Sequence, residues 1–233
     1  MNLFMVVIAC SISNFVVTSS TLSKLKHDRP FAYRHQAKCA AALTGKAAGG
    51  MLRSGMVPRI VITGAPASGK TEVFNRLKKD PAFSNFVFFD ELARLLLSEN
   101  PEYRKSWSGF HIEIYHRQVA REKLTGERPF ITDRGTIDAL AFHPQTMEDV
   151  GTTLEEEYQR YSAVVQLGSS ANLGNKFYER NGIRNESISE ALAIEKAITE
   201  LWRRHPGYHF IKAETDFEKK YHACLQVLIS VGL

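Results

Sequence analysis

The stretch Gly64-Ala-Pro-Ala-Ser-Gly-Lys-Thr71 has the spacing G-x-x-x-x-G-K-[ST]. Its chemistry is the binding of phosphate. Gly64, Ala65, Pro66, Ala67, Ser68 and Gly69 form a loop of small residues that lets backbone N–H groups surround a phosphate. A helix starting at Lys70 adds partial positive charge at its N-terminus. Lys70 would reach the β- and γ-phosphates of ATP, with GTP as the other candidate, and the hydroxyl of Thr71 would bind Mg²⁺.

Three further groups could act on a bound phosphate. Thr132-Asp133-Arg134-Gly135 closes an apolar run, where Asp133 would hold Mg²⁺ beside the P-loop. Motor ATPases commonly place a second, water-activating acid there. This chain has Arg134, which favours phosphoryl transfer over hydrolysis. An exposed Asp-Arg-Gly turn is the alternative reading of the triplet. Phe89-Asp90-Glu91-Leu92-Ala93-Arg94 follows a second apolar run and offers a carboxylate, Glu91, to accept the proton of an attacking hydroxyl. Acids also favour helix N-termini for their own sake. Lys176, Arg180 and Arg184 lie in the Gly/Asn-rich stretch 168–186, suited to a basic lid over phosphates or to a solvated loop.

Positioning these groups takes strands that end where the acids begin. Short β-branched or aromatic runs at 59–63, 85–89, 129–132, 163–167 and 208–212 read as buried strands. Helical patterns lie between them at 71–79, 91–97, 103–124, 136–142, 154–161, 187–203 and 217–229. Ser187 and Glu190 have capping-box spacing. Glu155, Glu156 and Glu157 read as a solvated face. Gln118 and Glu122 share a helical face that could line the acceptor pocket, with an exposed face as the first reading. His111 and His116 lack metal-ligand spacing and read as surface or packing residues. Strands alternating with helices predict an α/β fold: a five-stranded parallel sheet covered on both faces, of the P-loop nucleoside-kinase type with a lid.

Charge divides the chain at the first strand. Residues 1–57 carry seven Lys or Arg and one Asp, a net +6, so the remainder is −1 within an overall +5. A nucleic-acid-binding body is not indicated, because the basic excess lies outside it. Residues 3–10 are apolar, and 18–57 are hydroxyl-rich, Ala-rich and nearly free of acids. That pattern predicts a targeting leader, a signal segment followed by a plastid transit peptide. A start at Met51 or Met56 would instead leave a cytoplasmic product with the P-loop intact.

The order GAPASGKT, ELAR, DRGTIDALAF, VVQL and NGIRNES resembles the ribosylnicotinamide kinase-like branch of P-loop proteins over about residues 58–230. That family includes the kinase domain of the bacterial NAD-synthesis regulator and eukaryotic nucleotide-binding, phosphoinositide-associated relatives. The resemblance implies that Gly64, Gly69, Lys70 and Thr71 hold the nucleotide, Glu91 and Arg94 lie near the acceptor, Asp133 and Arg134 meet metal and phosphates, and Arg184 sits in the lid. Asp138 matches the second acid of D-R-G-x-x-D, and is equally an ordinary acid of a first helical turn. Ala67 stands where many relatives carry Gly, and Asp90 competes with Glu91 for the role of base. The reading is an ATP- and Mg²⁺-dependent phosphotransferase acting on the hydroxyl of a small, nucleoside-type molecule. A nucleotide-switched protein that binds a phosphoinositide or protein partner would keep the same phosphate machinery.

Overall fold

The computed structural model describes residues 57–178 and 186–231. The predicted leader through residue 56, and Arg180 and Arg184 of the predicted lid, lie outside the described residues.

Five parallel strands form one sheet: β1 (Arg59–Thr63), β2 (Val87–Phe89), β3 (Phe130–Asp133), β4 (Ala163–Leu167) and β5 (Tyr208–Ile211), in the order β2-β3-β1-β4-β5. The helices are α1 (Lys70–Leu77), α2 (Leu92–Glu99), α3 (Trp107–Leu124), α4 (Thr146–Val150), α5 (Leu154–Tyr158), α6 (Ile188–Trp202) and α7 (Phe217–Ser230). β1 is central, and Ile62 lies opposite Asp133 of β3 and Val165 of β4. The chain order reverses around β1, so a crevice opens beyond its carboxyl end, which is where ligands bind in open α/β sheets.

Alternation along the strands builds two cores. Ile60, Ile62, Ile131 and Val165 face α1 and α7, packing against Val73, Phe74, Leu77, Cys224 and Leu228. Val61, Phe130 and Val164 face the other way, against Ile137, Ile194, Ile198 and Trp202. Both sheet faces are thus covered, which explains why the strands read as continuous apolar runs. A smaller cluster of Leu96, Leu97 and Phe110 joins α2 to α3 beside the sheet.

Several expectations are corrected. The long helical stretch from Tyr103 is broken: Pro101–Lys105 form a 3-10 turn capped by the Asn100 side chain, Ser106 is non-helical, and α3 starts at Trp107. Thr136–Ala141 is 3-10 rather than α-helical, tightened by Asp138 accepting from the Gly135 N–H at 2.6 Å. α4 was not anticipated. Glu157 is buried, accepting from the Tyr115 and Thr152 hydroxyls at 2.8 and 2.9 Å, while Glu155 and Glu156 are solvated as expected. Gln118 and Glu122 are also buried, at 3% exposure each. The Glu122 carboxylate receives Arg160 at 2.6 Å, the Tyr161 hydroxyl at 2.8 Å and the Gln118 amide at 2.5 Å. α3 is polar nearly all round because its sheet-facing side ends in a hydrogen-bonded network rather than an apolar stripe.

Removing Glu122 takes the nearest carboxylate from Arg160, whose charge is largely buried and keeps only Glu157, at 3.5 Å. Glu122→Ala is expected to lower stability by about 3 kcal/mol or more. Urea unfolding checks this, and a loss near zero would show that the network carries no stability.

Candidate active site

The P-loop leaves β1 at Gly64 and enters α1 at Lys70. Gly64 has φ 152°, and a Cβ there would lie 2.5 Å from the Leu167 carbonyl and 2.8 Å from Ser68 Oγ. Gly69 caps α1 at φ 80°. Both positions need glycine. Ala67 also holds a left-handed backbone, at φ 59°. Small size alone does not remove its cost, because a Cβ in that region is strained by about 1–2 kcal/mol. The segment after β4 holds the loop in place: Ser169 Oγ donates to the Pro66 carbonyl at 2.6 Å, and the Ser170 N–H to the Ala67 carbonyl at 3.1 Å. Ser169 is fixed in turn by Glu195, which accepts from its N–H at 2.5 Å. Nothing in the sequence motif signals these serines.

β3 delivers Asp133 and Arg134 to the same crevice. The Arg134 N–H donates to the Ile62 carbonyl at 3.0 Å, extending the strand pairing by one residue. Arg134 itself has φ 73°. That strained turn sends its guanidinium back across the site, 3.0 Å from Glu91 Oε1 and 3.8 Å from Asp138 Oδ1. Asp138 is 1% exposed, accepts from the Thr63 hydroxyl, and so links the end of β1 to the Asp-Arg turn.

Electrostatics divide the carboxylates. Burial raises the proton affinity of Asp138, against the pull of Arg134 and Thr63. Burial and the neighbouring Glu91 raise that of Asp133, against the opposing pull of Lys70. For Glu91, burial also works upward, but Arg134 and Lys70 outweigh it and hold the carboxyl down to about 2. Burial, with Arg134 second, lowers the half-buried Lys70 ammonium below its usual value. Two cations thus share a crevice with three carboxylates.

A pocket that opens to solvent starts at this cluster. Glu91, Asp133, Arg134 and Asp138 give its charged wall, and Phe110, Ile114 and Phe142 lie in its apolar wall. The two adjacent acids separate here. Asp90 is exposed and paired to Lys78 at 2.6 Å, away from the pocket, whereas Glu91 lines it. Arg94 is exposed, 3.7 Å from Glu91 and off the pocket wall. Lys176 is exposed and lies 5.9 Å from the Phe177 ring centre.

The residues present fit a hard cation. Asp133 Oδ1 is buried with no hydrogen-bond partner, and Ser68 Oγ, in the phosphate loop, is likewise unpaired. A buried carboxylate oxygen left bare invites a metal or a donor. With Thr71 at the start of α1, Asp133 gives the oxygen donors that Mg²⁺ takes.

Two outcomes follow. Lys70→Ala is expected to weaken binding of ATP and GTP by at least about 100-fold, the scale of a lost buried charge contact to phosphate, with the fold retained. Calorimetry checks it, and unchanged affinity for both nucleotides would remove the site assignment. Arg134→Ala is expected to raise the titration midpoint of Glu91 above about 2. Ionised Glu91 contributes stability above the ordinary carboxylate range, and that contribution is lost as the pH falls toward 2. Carbon-13 NMR of the glutamate carboxyls reads the midpoint, and one unmoved by the substitution would contradict the pairing.

Comparison with known proteins bears on the fold. No curated protein matches the chain. Two solved structures share its fold: shikimate kinase from Acinetobacter baumannii in complex with shikimate, 17% identical with a TM-score of 0.50, covering 76% of this chain and 96% of that one; and deoxyadenosine kinase from M. mycoides with bound dATP, 13% identical with a TM-score of 0.50, covering 73% and 99%. The fold is that of P-loop kinases. The profile of the family described as AAA domain matches residues 59–220, which is most of the chain, and this protein belongs to that family.

Proposed function

We propose that this protein transfers the γ-phosphoryl group of ATP, or of GTP, to a hydroxyl of a small, nucleoside-type molecule. The observation that carries this reading is the pocket itself. Its charged wall consists of Glu91, Asp133, Arg134 and Asp138, the groups whose charges Lys70 of the P-loop feels, so a small molecule seated there meets that cluster with one end. The shared fold with shikimate kinase and deoxyadenosine kinase is consistent with it. The motif order that resembles the ribosylnicotinamide kinase-like branch adds support for a nucleoside.

Each residue has a role set by its place. The P-loop N–H groups and the start of α1 bind the phosphates, and Lys70 neutralises their charge. Thr71 and Asp133 would hold Mg²⁺, which when bound supplies further neutralisation of phosphate charge. Glu91 accepts the proton of the acceptor hydroxyl as its oxygen bonds to the γ-phosphorus, the bond to the β–γ bridging oxygen breaks, and ADP leaves with that electron pair. Before the donor binds, Arg134 and Lys70 hold Glu91 ionised and weakly basic. Phosphates draw both cations away, and the carboxylate becomes a better base when it is needed. Arg184 would add a cation from the lid side. Most of the rate comes from positioning and charge stabilisation.

The full-length chain should convert a nucleoside, in a panel that includes ribosylnicotinamide, to its phosphate ester with ATP or GTP. Glu91→Gln should leave nucleotide affinity nearly unchanged and lower kcat by roughly 10²–10⁴. Asp133→Asn should disturb nucleotide affinity and turnover together. Radiometric transfer assays paired with calorimetry separate the two effects. Consumption of ATP with no ester from any acceptor, or full activity in Glu91→Gln, would contradict the reading.

A further inference from the structure

The pocket has a polar feature that phosphoryl transfer does not use. His111 lines it from α3 and is 2% exposed. Neither Nδ1 nor Nε2 has a hydrogen-bond partner. Burial, with His143 nearby, pushes the imidazole down to about 3, so the ring is neutral at ordinary pH, with one nitrogen donating and the other accepting. It is packed among rings: Trp107 edge-on at 4.7 Å, His143 near-parallel at 5.6 Å and Phe142 parallel at 6.5 Å. Unpaired polar nitrogens in such surroundings are costly and call for a partner. The space their ring already borders is the pocket.

The other uncharged polar side chain on the wall, Gln118, is already committed. Its amide donates to Glu122 at 2.5 Å and Thr132 at 3.0 Å, and its oxygen accepts from Arg121. The Thr132 bond also pins this part of α3 beside Asp133. His111 lies seven residues earlier on the same helix, about 10 Å along its axis. The wall between them is apolar, formed by Ile114, Phe110 and Phe142. Among the described residues, no charged side chain lines that apolar stretch.

We propose that His111 selects the acceptor by hydrogen-bonding a polar atom of an uncharged, flat heterocycle held between the aromatic walls, with the reacting hydroxyl at the Glu91–Asp133 end. The hydroxyl end of this assignment rests on the kinase reading. The ring end rests on the unpaired imidazole and the walls around it.

The test uses the full chain and its binding of adenosine, cytidine, uridine and ring-free ribose. Calorimetry gives affinities, and fluorescence reports on Trp107 against the His111 ring. At least one nucleoside should bind about tenfold or more tighter than ribose, the factor expected of one buried hydrogen bond with its ring contacts. His111→Phe should lose about that factor while ATP affinity stays unchanged and the unfolding temperature does not fall. His111→Gln should recover part of it, and it serves as the second variant should the Phe form fail to fold. In turnover the loss should appear in KM for the acceptor more than in kcat. Equal affinity for ribose and every nucleoside, or His111→Phe binding like the parent, overturns the proposal. Nucleoside binding that depends on His111 without any ester formed would uphold His111 and remove the kinase reading. Ester formation indifferent to His111→Phe would do the reverse.

Discussion

Arg134 carries a positive charge into a crevice where Glu91 and Asp138 both face it, from a backbone conformation that non-glycine residues avoid. Its own N–H is tied to β1, and Asp138 is tied to Thr63 at the end of the same strand. The phosphate loop, the Asp-Arg turn and Glu91, the residue just before α2, are thereby held in one frame. Strain at Arg134 is the condition for aiming a guanidinium along the sheet rather than out of it. Removing the charge would release Glu91 from its low proton affinity and leave two buried carboxylates facing each other.

That arrangement explains why a P-loop alone does not define the site. Gly64 to Thr71 offers a phosphate cradle, as such loops generally do. Its neighbours give it direction. Ser169 and Ser170 hold the loop from the β4 side, while Asp133 and Arg134 face it from the β3 side. The pocket opens on the β3 side, bounded by α2, α3 and the 3-10 turn after Gly135. Under the proposed reading, donor and acceptor would take separate places that meet at Lys70 and Glu91. The chemistry expected of this geometry is transfer between two bound molecules.

Much of this was legible in the sequence. β1 and β4 are continuous apolar runs because both sheet faces are covered, and both were placed to the residue. The phosphate loop needs its residue types at fixed spacing, so it is readable without a structure. Other features depend on distant partners. Gln118 and Glu122 looked solvated because their helix is polar nearly all round, and their partners Thr132 and Arg160 lie 14 and 38 residues away. Asp90 and Glu91 could not be ranked by position, and Lys78 separates them by drawing Asp90 outward. His111 read as a packing residue until Phe142 and His143 appeared on one side of it and Trp107 on its edge. Alternation and motif spacing are local, whereas buried polar pairings are set by the fold.

The most direct measurement of the central claim is the fate of the γ-phosphoryl group. Phosphorus-31 NMR of a reaction run in oxygen-18 water, with the full chain, ATP, Mg²⁺ and a nucleoside mixture, distinguishes an acceptor ester from inorganic phosphate. The account predicts an ester signal without heavy oxygen, with inorganic phosphate near the background of the uncatalysed reaction. Phosphate carrying oxygen-18 as the sole product, or ATP left intact in the presence of every acceptor, would contradict it.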